Sequence, residues 1–278
     1  MNYQQLIFEP RQRPAWQAID VGCLIARRFF IKLWLCWMAT ALPIAVLLSV
    51  LYLSGEHDWG SLELILLWWM KPLYERAPLL FLSRQVFGQS ISLKELFSKH
   101  SRLLLSGLFA DLSYRRLSFN RSMDMPVALL EQQSGSARSK RLNILHRSQA
   151  RPSASWTLIL VHLEQFILYS FIIMIGLSLP ASLFEDIEIL ELATGDEYMR
   201  EVFFSQFILY AMSMSIIAPF YTAGGFILYL NRRIHLEGWD LQLMFQKPAA
   251  QAERSAQVHK SSAQTPQFDQ TEREGIRA

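Results

Sequence analysis

Residues 29–53 read FFIKLWLCWMATALPIAVLLSVLYL, an apolar run that is interrupted by a single charged side chain, Lys32. A hydrocarbon core about 30 Å thick is crossed by roughly 20 helical residues, at about 1.5 Å each. Two further runs, Trp156–Phe184 and Val202–Leu230, are also long enough to cross a bilayer. Together the three runs predict an all-α, polytopic membrane protein.

The composition of the whole chain favours the same class. Its 278 residues are 51% hydrophobic and 18% charged, and the mean hydropathy is +0.17. A soluble domain usually carries about 25% charged residues, so we expect much of the apolar surface to face lipid or another helix. The small net charge of +3 gives no indication of nucleic-acid binding.

Charges beside the apolar runs predict the orientation of the chain. Basic residues precede the first run, follow the last one at Arg232 and Arg233, and are frequent in residues 138–151. Residues 185–201 instead carry seven acidic side chains against one arginine. Because cytoplasmic flanks are rich in Lys and Arg, we expect an inner-membrane protein with both termini in the cytoplasm and the acidic loop 185–201 outside.

This orientation requires a further crossing between residue 54 and the cytoplasmic region 88–155. Residues 61–87 are the candidate, although charged residues and two prolines, Pro72 and Pro78, interrupt their apolar sequence. We expect an imperfect span that is kinked near Pro72, because proline disrupts the hydrogen bonding of a helix interior. The result is about four transmembrane helices, near 29–53, 61–87, 156–184 and 202–230, with interfacial amphipathic helices.

The rest of the chain divides by composition around a helical membrane domain, residues 29–246. Residues 1–28 form a cytoplasmic lead, in which Trp16, Ile19, Cys23 and Leu24 are spaced as one helix face that would lie at the membrane interface. Residues 247–278 are polar and contain few large apolar side chains. We expect this last segment to be a disordered cytoplasmic tail.

The cytoplasmic region 88–155 begins with a helix-capping sequence, Ser92-Leu-Lys-Glu95. Its apolar residues alternate with basic ones, which suits a helical hairpin that lies on the anionic inner leaflet. Packing against the cytoplasmic ends of the spans is the alternative.

A polar cluster is expected inside the membrane domain. Lys71, Glu75 and Arg76 lie in the second span, and His162 and Glu164 lie about two turns into the third. Because charges in a bilayer are normally paired, Glu164 is expected to pair with Lys71 or Arg76. The cluster would either relay protons or bind an anionic substrate, or it would be structural, with a Lys71–Glu75 pair and Glu164 holding helices together. We favour the structural role.

Small residues in the last span, including Ala223-Gly224-Gly225 after Pro219, allow helix backbones to approach closely. Close packing is the preferred interpretation, and a broken helix that lines a substrate path is the alternative.

The sequence contains no Walker loop, no G-x-S-x-G, no H-E-x-x-H and no C-x-x-C motif. We therefore assign no catalytic, cofactor-binding or metal-ligating residue, and we expect a protein that is not an enzyme and needs no cofactor.

Three stretches resemble an uncharacterised group of proteobacterial inner-membrane proteins. They are WWMKPLYERAPLLFLSRQVFG at 68–88, RSMDMPVALLE at 121–131 and PFYTAGGFILYLNRRIHLEGWDLQL at 219–243. The resemblance covers about residues 10–245. Members of such families tend to be encoded near envelope proteins with transglutaminase-like or AAA-ATPase domains, which implies an envelope-associated role and transfers no active site.

Together these features predict a non-enzymatic accessory or scaffold component of a cell-envelope assembly. Its expected partners are the anionic inner leaflet and either a membrane protein or a second copy of the chain. The alternative is a subunit of a small transporter or channel that uses the polar cluster, although the chain shows no doubled halves of the kind usual in secondary transporters. A membrane-embedded enzyme that acts on lipid ranks third.

Overall fold

The computed structural model describes residues 7–54, 62–178 and 196–238, and the regular secondary structure in these ranges is helical. The helices are α1 (Ala15–Arg28), α2 (Phe30–Leu53), α3 (Leu62–Trp69), α4 (Lys71–Tyr74), α5 (Arg76–Val86), α6 (Leu93–Leu105), α7 (Leu108–Leu112), α8 (Arg121–Leu129), α9 (Gly135–Ser178) and α10 (Asp196–Glu237). The prediction of an all-α chain is confirmed.

Three helical segments are long and apolar enough to cross a membrane: Phe30–Leu53, Arg151–Ser178 and Val202–Glu237. The apolar windows on α2 and α9 are only 28% and 17% buried within the protein. Soluble proteins rarely expose apolar surfaces that extend along whole helices. The structure therefore supports a helical membrane protein with three candidate spans.

The predicted second span, residues 61–87, is divided into α3, α4 and α5 by breaks at Met70 and Glu75. Pro72 and Pro78 each fall in the first turn of a short helix, where a proline removes no intrahelical hydrogen bond. Residues Arg76–Ser83 on α5 are buried within the protein. In place of the single kink expected near Pro72, the segment thus has two helix breaks.

Helix α10 is the central element, since it contacts α1, α2, α3, α5, α8 and α9. Helix α1 runs antiparallel to its carboxy-terminal half, with Gly22 beside Gly224. The Asn231 side chain accepts a hydrogen bond from the Arg13 backbone N–H at 3.1 Å and donates one to the Arg13 carbonyl at 2.9 Å. The lead is therefore packed against the last helix.

On the α1 face that was predicted to lie at the membrane interface, Trp16 and Leu24 are exposed, whereas Ile19 is buried. The contact with α10 also buries small side chains. The buried positions are Ala18, Ile19, Gly22, Ile25 and Ala26.

Helix α9 begins before the predicted span 156–184, whose residues 179–184 lie outside the described ones, and α10 extends beyond both ends of the predicted span 202–230. Helix α9 begins at Gly135 and continues through Pro152, and α10 continues unbroken through Pro219 and the two glycines that follow. Residues 196–201, predicted to end the outer loop, belong to α10. The remainder of that loop and the tail at 247–278 lie outside the described residues.

Region 88–155 contains α6, α7, α8 and the start of α9. Ser92 caps α6, with its Oγ accepting a hydrogen bond from the Glu95 backbone N–H at 3.2 Å, as the sequence predicts. The region packs against the second predicted span through contacts of α7 with α4 and of α6 and α8 with α5.

The buried apolar side chains form two cores. The larger core joins α1, α5, α6 and α8 to the adjoining parts of α2, α9 and α10. The smaller core includes Trp37, Leu67, Tyr74, Leu168 and Tyr210 from α2, α3, α4, α9 and α10.

Candidate functional site

The charged cluster lies where the two cores meet. On α9, Glu164 lies between Leu160, which belongs to the larger core, and Leu168, which belongs to the smaller one. Glu75 likewise lies between Tyr74 of the smaller core and Ala77 of the larger core. Buried charges are costly unless they are paired and hydrogen-bonded. Each charged group at this boundary therefore requires a partner.

Lys71 and Glu164 bring α4 and α9 together, as the sequence suggested. The Lys71 Nζ donates to Glu164 Oε2 at 2.5 Å, and the Glu164 side chain is 2% exposed. The Tyr210 side chain on α10 is close enough to this carboxylate to interact with it electrostatically. The ion pair thus joins α4 to α9, beside α10.

Glu75 pairs with Arg121, the first residue of α8. Arg121 donates from Nη2 to Glu75 Oε1 at 3.0 Å and from Nε to Oε2 at 3.2 Å, so the ion pair is bidentate. Burial alone would lower the pKa of Arg121, but the adjacent Glu75 carboxylate outweighs it and raises that pKa above its ordinary value. The pair fixes α8 to the break between α4 and α5.

Arg76 does not join this pair, and its side chain instead binds the end of α6. Its guanidinium donates to the carbonyls of Leu104 and Ser106 at 2.6 and 2.7 Å and to Asp111 Oδ2 at 2.5 Å. The last carbonyls of a helix have no intrahelical partner, so this arginine satisfies groups that would otherwise be buried without hydrogen bonds.

Arg116, like Arg76 and Arg121, is a buried cation, with 4% of its surface exposed. It donates from Nε and Nη2 to the carbonyls of Trp69 and Trp68, at 3.0 and 2.5 Å, and its guanidinium stacks 3.8 Å from the Trp68 ring centroid. Burial, and then repulsion from Arg121, lowers the pKa of Arg116 to about 10. No carboxylate in the described ranges forms an ion pair with it.

A cavity of about 480 Å³ opens beside these groups. Its charged lining consists of Lys71, Glu75, Arg116, Arg121 and Glu164. Two carboxylates thus face three cations, which leaves one net positive charge. The volume falls within the range of about 300–1,000 Å³ that is usual for small-ligand sites.

The five residues predicted to form the cluster are only partly brought together. Lys71, Glu75 and Glu164 line the cavity, whereas Arg76 faces Asp111. His162 is on the exposed side of α9, with its Nδ1 2.7 Å from the Leu158 carbonyl oxygen. The expected Lys71–Glu75 pair is also absent from the described ion pairs, because each residue has a partner on another helix.

Arg116 and Arg121 belong to the cluster but are not predicted by the sequence pattern. Both lie in the predicted cytoplasmic region 88–155, yet Arg121 pairs directly with Glu75, which lies 46 positions earlier in the chain. The charge count gives no signal for them, since Lys71 and Arg76 already balance Glu75 and Glu164 in number.

A second ionic network, the carboxy-terminal clasp, joins α9 and α10 to the end of α8. Arg141 donates to Glu131 and to Glu237 at 2.8 and 2.9 Å, and the Tyr229 hydroxyl donates to Glu131 at 2.6 Å. Hydrogen bonding to Glu131 raises the pKa of Arg141 above its ordinary value, in spite of partial burial. The clasp is consistent with a structural role.

Among the described residues, no group of three or more His, Cys, Asp or Glu side chains is placed to hold a metal ion. In comparisons with known proteins, no family model, no curated protein and no solved structure matches the chain.

Proposed function

We propose that the chain is an integral inner-membrane protein with four crossings and both termini in the cytoplasm, and that it is a non-enzymatic accessory or scaffold component of a cell-envelope assembly. The observation that best supports a scaffold is the internal pairing of the charged cluster. Its ion pairs tie together segments that are far apart in sequence. Ion pairs of this kind hold the helices in fixed positions. A scaffold needs such a fixed surface so that its partner can bind to it.

The fourth crossing is assigned to α3, α4 and α5. From Leu62 to Val86 the chain rises about 36 Å if each residue adds about 1.5 Å, which is enough for a hydrocarbon core of about 30 Å. Broken helices are tolerated at membrane depth where protein covers them. The burial of α5 and the cavity beside α4 meet that condition.

The cytoplasmic region is proposed to rest on the inner leaflet. Five large side chains between the end of α6 and the start of α8 are exposed, and together they are called the exposed apolar ridge: Leu105, Phe109, Tyr114, Leu117 and Phe119. Phe109 is 87% exposed, an unfavourable arrangement in water for so large an apolar group. Contact with lipid would remove this ridge from water while the opposite side of the region packs against the spans.

Site-specific photo-cross-linking in native membranes tests the scaffold proposal. A photoreactive residue at Ser136 or Arg147, both exposed near the start of α9, is expected to yield one reproducible adduct with another protein. The matched control is Phe166, exposed on the apolar part of α9, where lipid is expected instead. Recovery of no protein except the chain itself from Ser136 and Arg147 would contradict the accessory role.

The cavity favours a second candidate, a subunit of a small transporter or channel, because charged groups line an open space beside candidate spans. Glu164→Gln distinguishes the two functions. For a scaffold, the loss of the Lys71 partner lowers assembly. For a transporter, the variant stays folded and loses substrate- or proton-coupled flux, and unchanged flux would eliminate this candidate.

A further inference from the structure

We propose that the cavity beside Arg116 binds the phosphate group of an anionic amphiphile, with a membrane lipid as the source of that phosphate. This inference goes beyond the scaffold function and does not depend on it. Three features of the cavity carry it: the chemistry of its walls, its unneutralised cation and the surface onto which it opens.

Eight of the sixteen residues that line the cavity are apolar, among them Trp68, Leu117, Phe119 and Ile217. A small hydrophilic ion would gain nothing from these surfaces. A ligand with a charged head and an apolar body uses both kinds of wall.

The cation that favours an anion is Arg116. Lys71 and Arg121 are neutralised by Glu164 and Glu75, whereas Arg116 bonds only to backbone carbonyls within the described ranges. Its Nη1 donates no hydrogen bond there, although the side chain is buried and lines the cavity. Guanidinium groups bind phosphate through parallel N–H donors, and a buried positive charge without a carboxylate is stabilised by such a ligand.

The cavity is bordered by exposed apolar side chains. Leu117 and Phe119 come from the exposed apolar ridge, and Leu158 and Val161 come from the exposed face of α9. Since α9 is a candidate span from Arg151 onward, this border suits acyl chains. An amphiphile held here would place its phosphate at Arg116 and its chains against the ridge and α9.

Native mass spectrometry of the full-length protein in detergent tests the proposal with three probes: phosphatidylglycerol, phosphatidylcholine and inorganic phosphate. We expect one tightly held phosphatidylglycerol per chain, at an affinity at least tenfold above that for phosphatidylcholine. Arg116→Gln is expected to abolish this preference. Arg147→Gln, which changes an exposed arginine on α9 that does not line the cavity, is expected to leave it intact.

A second variant covers the case in which Arg116→Gln does not fold. Ala218→Leu places a larger side chain in the cavity and leaves the two ion pairs of the lining untouched. It is expected to lower phosphatidylglycerol binding at least tenfold while the protein still elutes as a single folded species.

The outcomes separate the possible sources of phosphate. Selective phosphatidylglycerol binding that both variants abolish supports the lipid site. Displacement of the lipid by millimolar inorganic phosphate, with the same dependence on Arg116, would overturn the lipid as the source and assign a soluble phosphate compound. Equal binding of both lipids, or lipid binding unaffected by Ala218→Leu, would overturn the site itself.

Discussion

Arg121 is the residue on which the charged cluster depends most, since it donates two hydrogen bonds to the Glu75 carboxylate. Arg121→Ala would leave Glu75, which is 2% exposed, buried without a partner. Removing one member of a buried pair costs about 3–5 kcal/mol. We expect a clear fall in the temperature at which a fluorescently tagged protein survives heating, as measured by size-exclusion chromatography.

The double variant Glu75→Gln/Arg121→Gln removes both charges and is expected to recover part of that loss, because no isolated charge remains. Arg147→Ala, at an exposed position, is the control and should stay close to the parent. A single variant as stable as the parent would show that Glu75 is not held by Arg121.

At the same scale, the sequence predicts some members of the site and not others. Lys71 and Glu164 are recognisable because each is a charge within an apolar run, and the Lys71–Glu164 pair was one of two proposed. Arg116 and Arg121 lie in a segment whose basic residues look like surface groups. Their burial arises from a fold that brings positions 46 to 48 apart into contact, which local sequence does not encode.

Helix packing around Gly224 is the element-scale feature most sensitive to change. A Cβ at Gly224 would lie 2.6 Å from the Trp156 indole nitrogen, and a Cβ at Gly22 would lie 2.7 Å from the Gly224 Cα. Gly224→Ala should therefore displace the Trp156 side chain or force α9 away from α10, at a cost of about 1–3 kcal/mol. This loss of stability is measured as a fall in the temperature at which the protein in detergent stays folded.

Gly176→Ala is the matched control for this prediction. Gly176 is also helical but has no atom within 4 Å of an added Cβ, so alanine should be neutral or stabilise by up to about 1 kcal/mol through helix propensity. Equal behaviour of Gly176→Ala and Gly224→Ala would argue against close packing at the α10 glycines.

For the elements, sequence periodicity predicts helices well and their contacts less well. The cap at Ser92 and the helical character of the apolar runs follow from local chemistry. The packing of α1 does not, because apolar spacing assigns Ile19 to an interfacial face, whereas the contact with α10 buries Ile19 beside small residues such as Ala18 and Gly22. In lipid, an exposed tryptophan carries little penalty, so hydrophobicity no longer identifies the packed face.

At the scale of the whole molecule, the four-crossing topology makes a direct prediction. On a background without Cys23 and Cys36, single cysteines are placed at Ser134 and Thr194 and treated with a membrane-impermeant thiol reagent on intact spheroplasts. We expect labelling at Thr194 and none at Ser134. Permeabilised cells, in which both positions should react, control for buried thiols.

The reverse pattern, with Ser134 labelled and Thr194 protected, would mean that residues 61–87 do not cross. The number of crossings could not be fixed from hydropathy because α3, α4 and α5 are each too short to qualify alone. Their assignment to one crossing rests on the charges of the flanking regions and on the packing of all three helices against α2.

The separation between Lys71 and Glu164 has a consequence for biosynthesis. The two residues are 93 positions apart, so during synthesis Lys71 leaves the ribosome long before its carboxylate partner exists. Glu75 must likewise wait for Arg121. Residues 62–86 therefore complete their ion pairs only after α8 and α9 have been made.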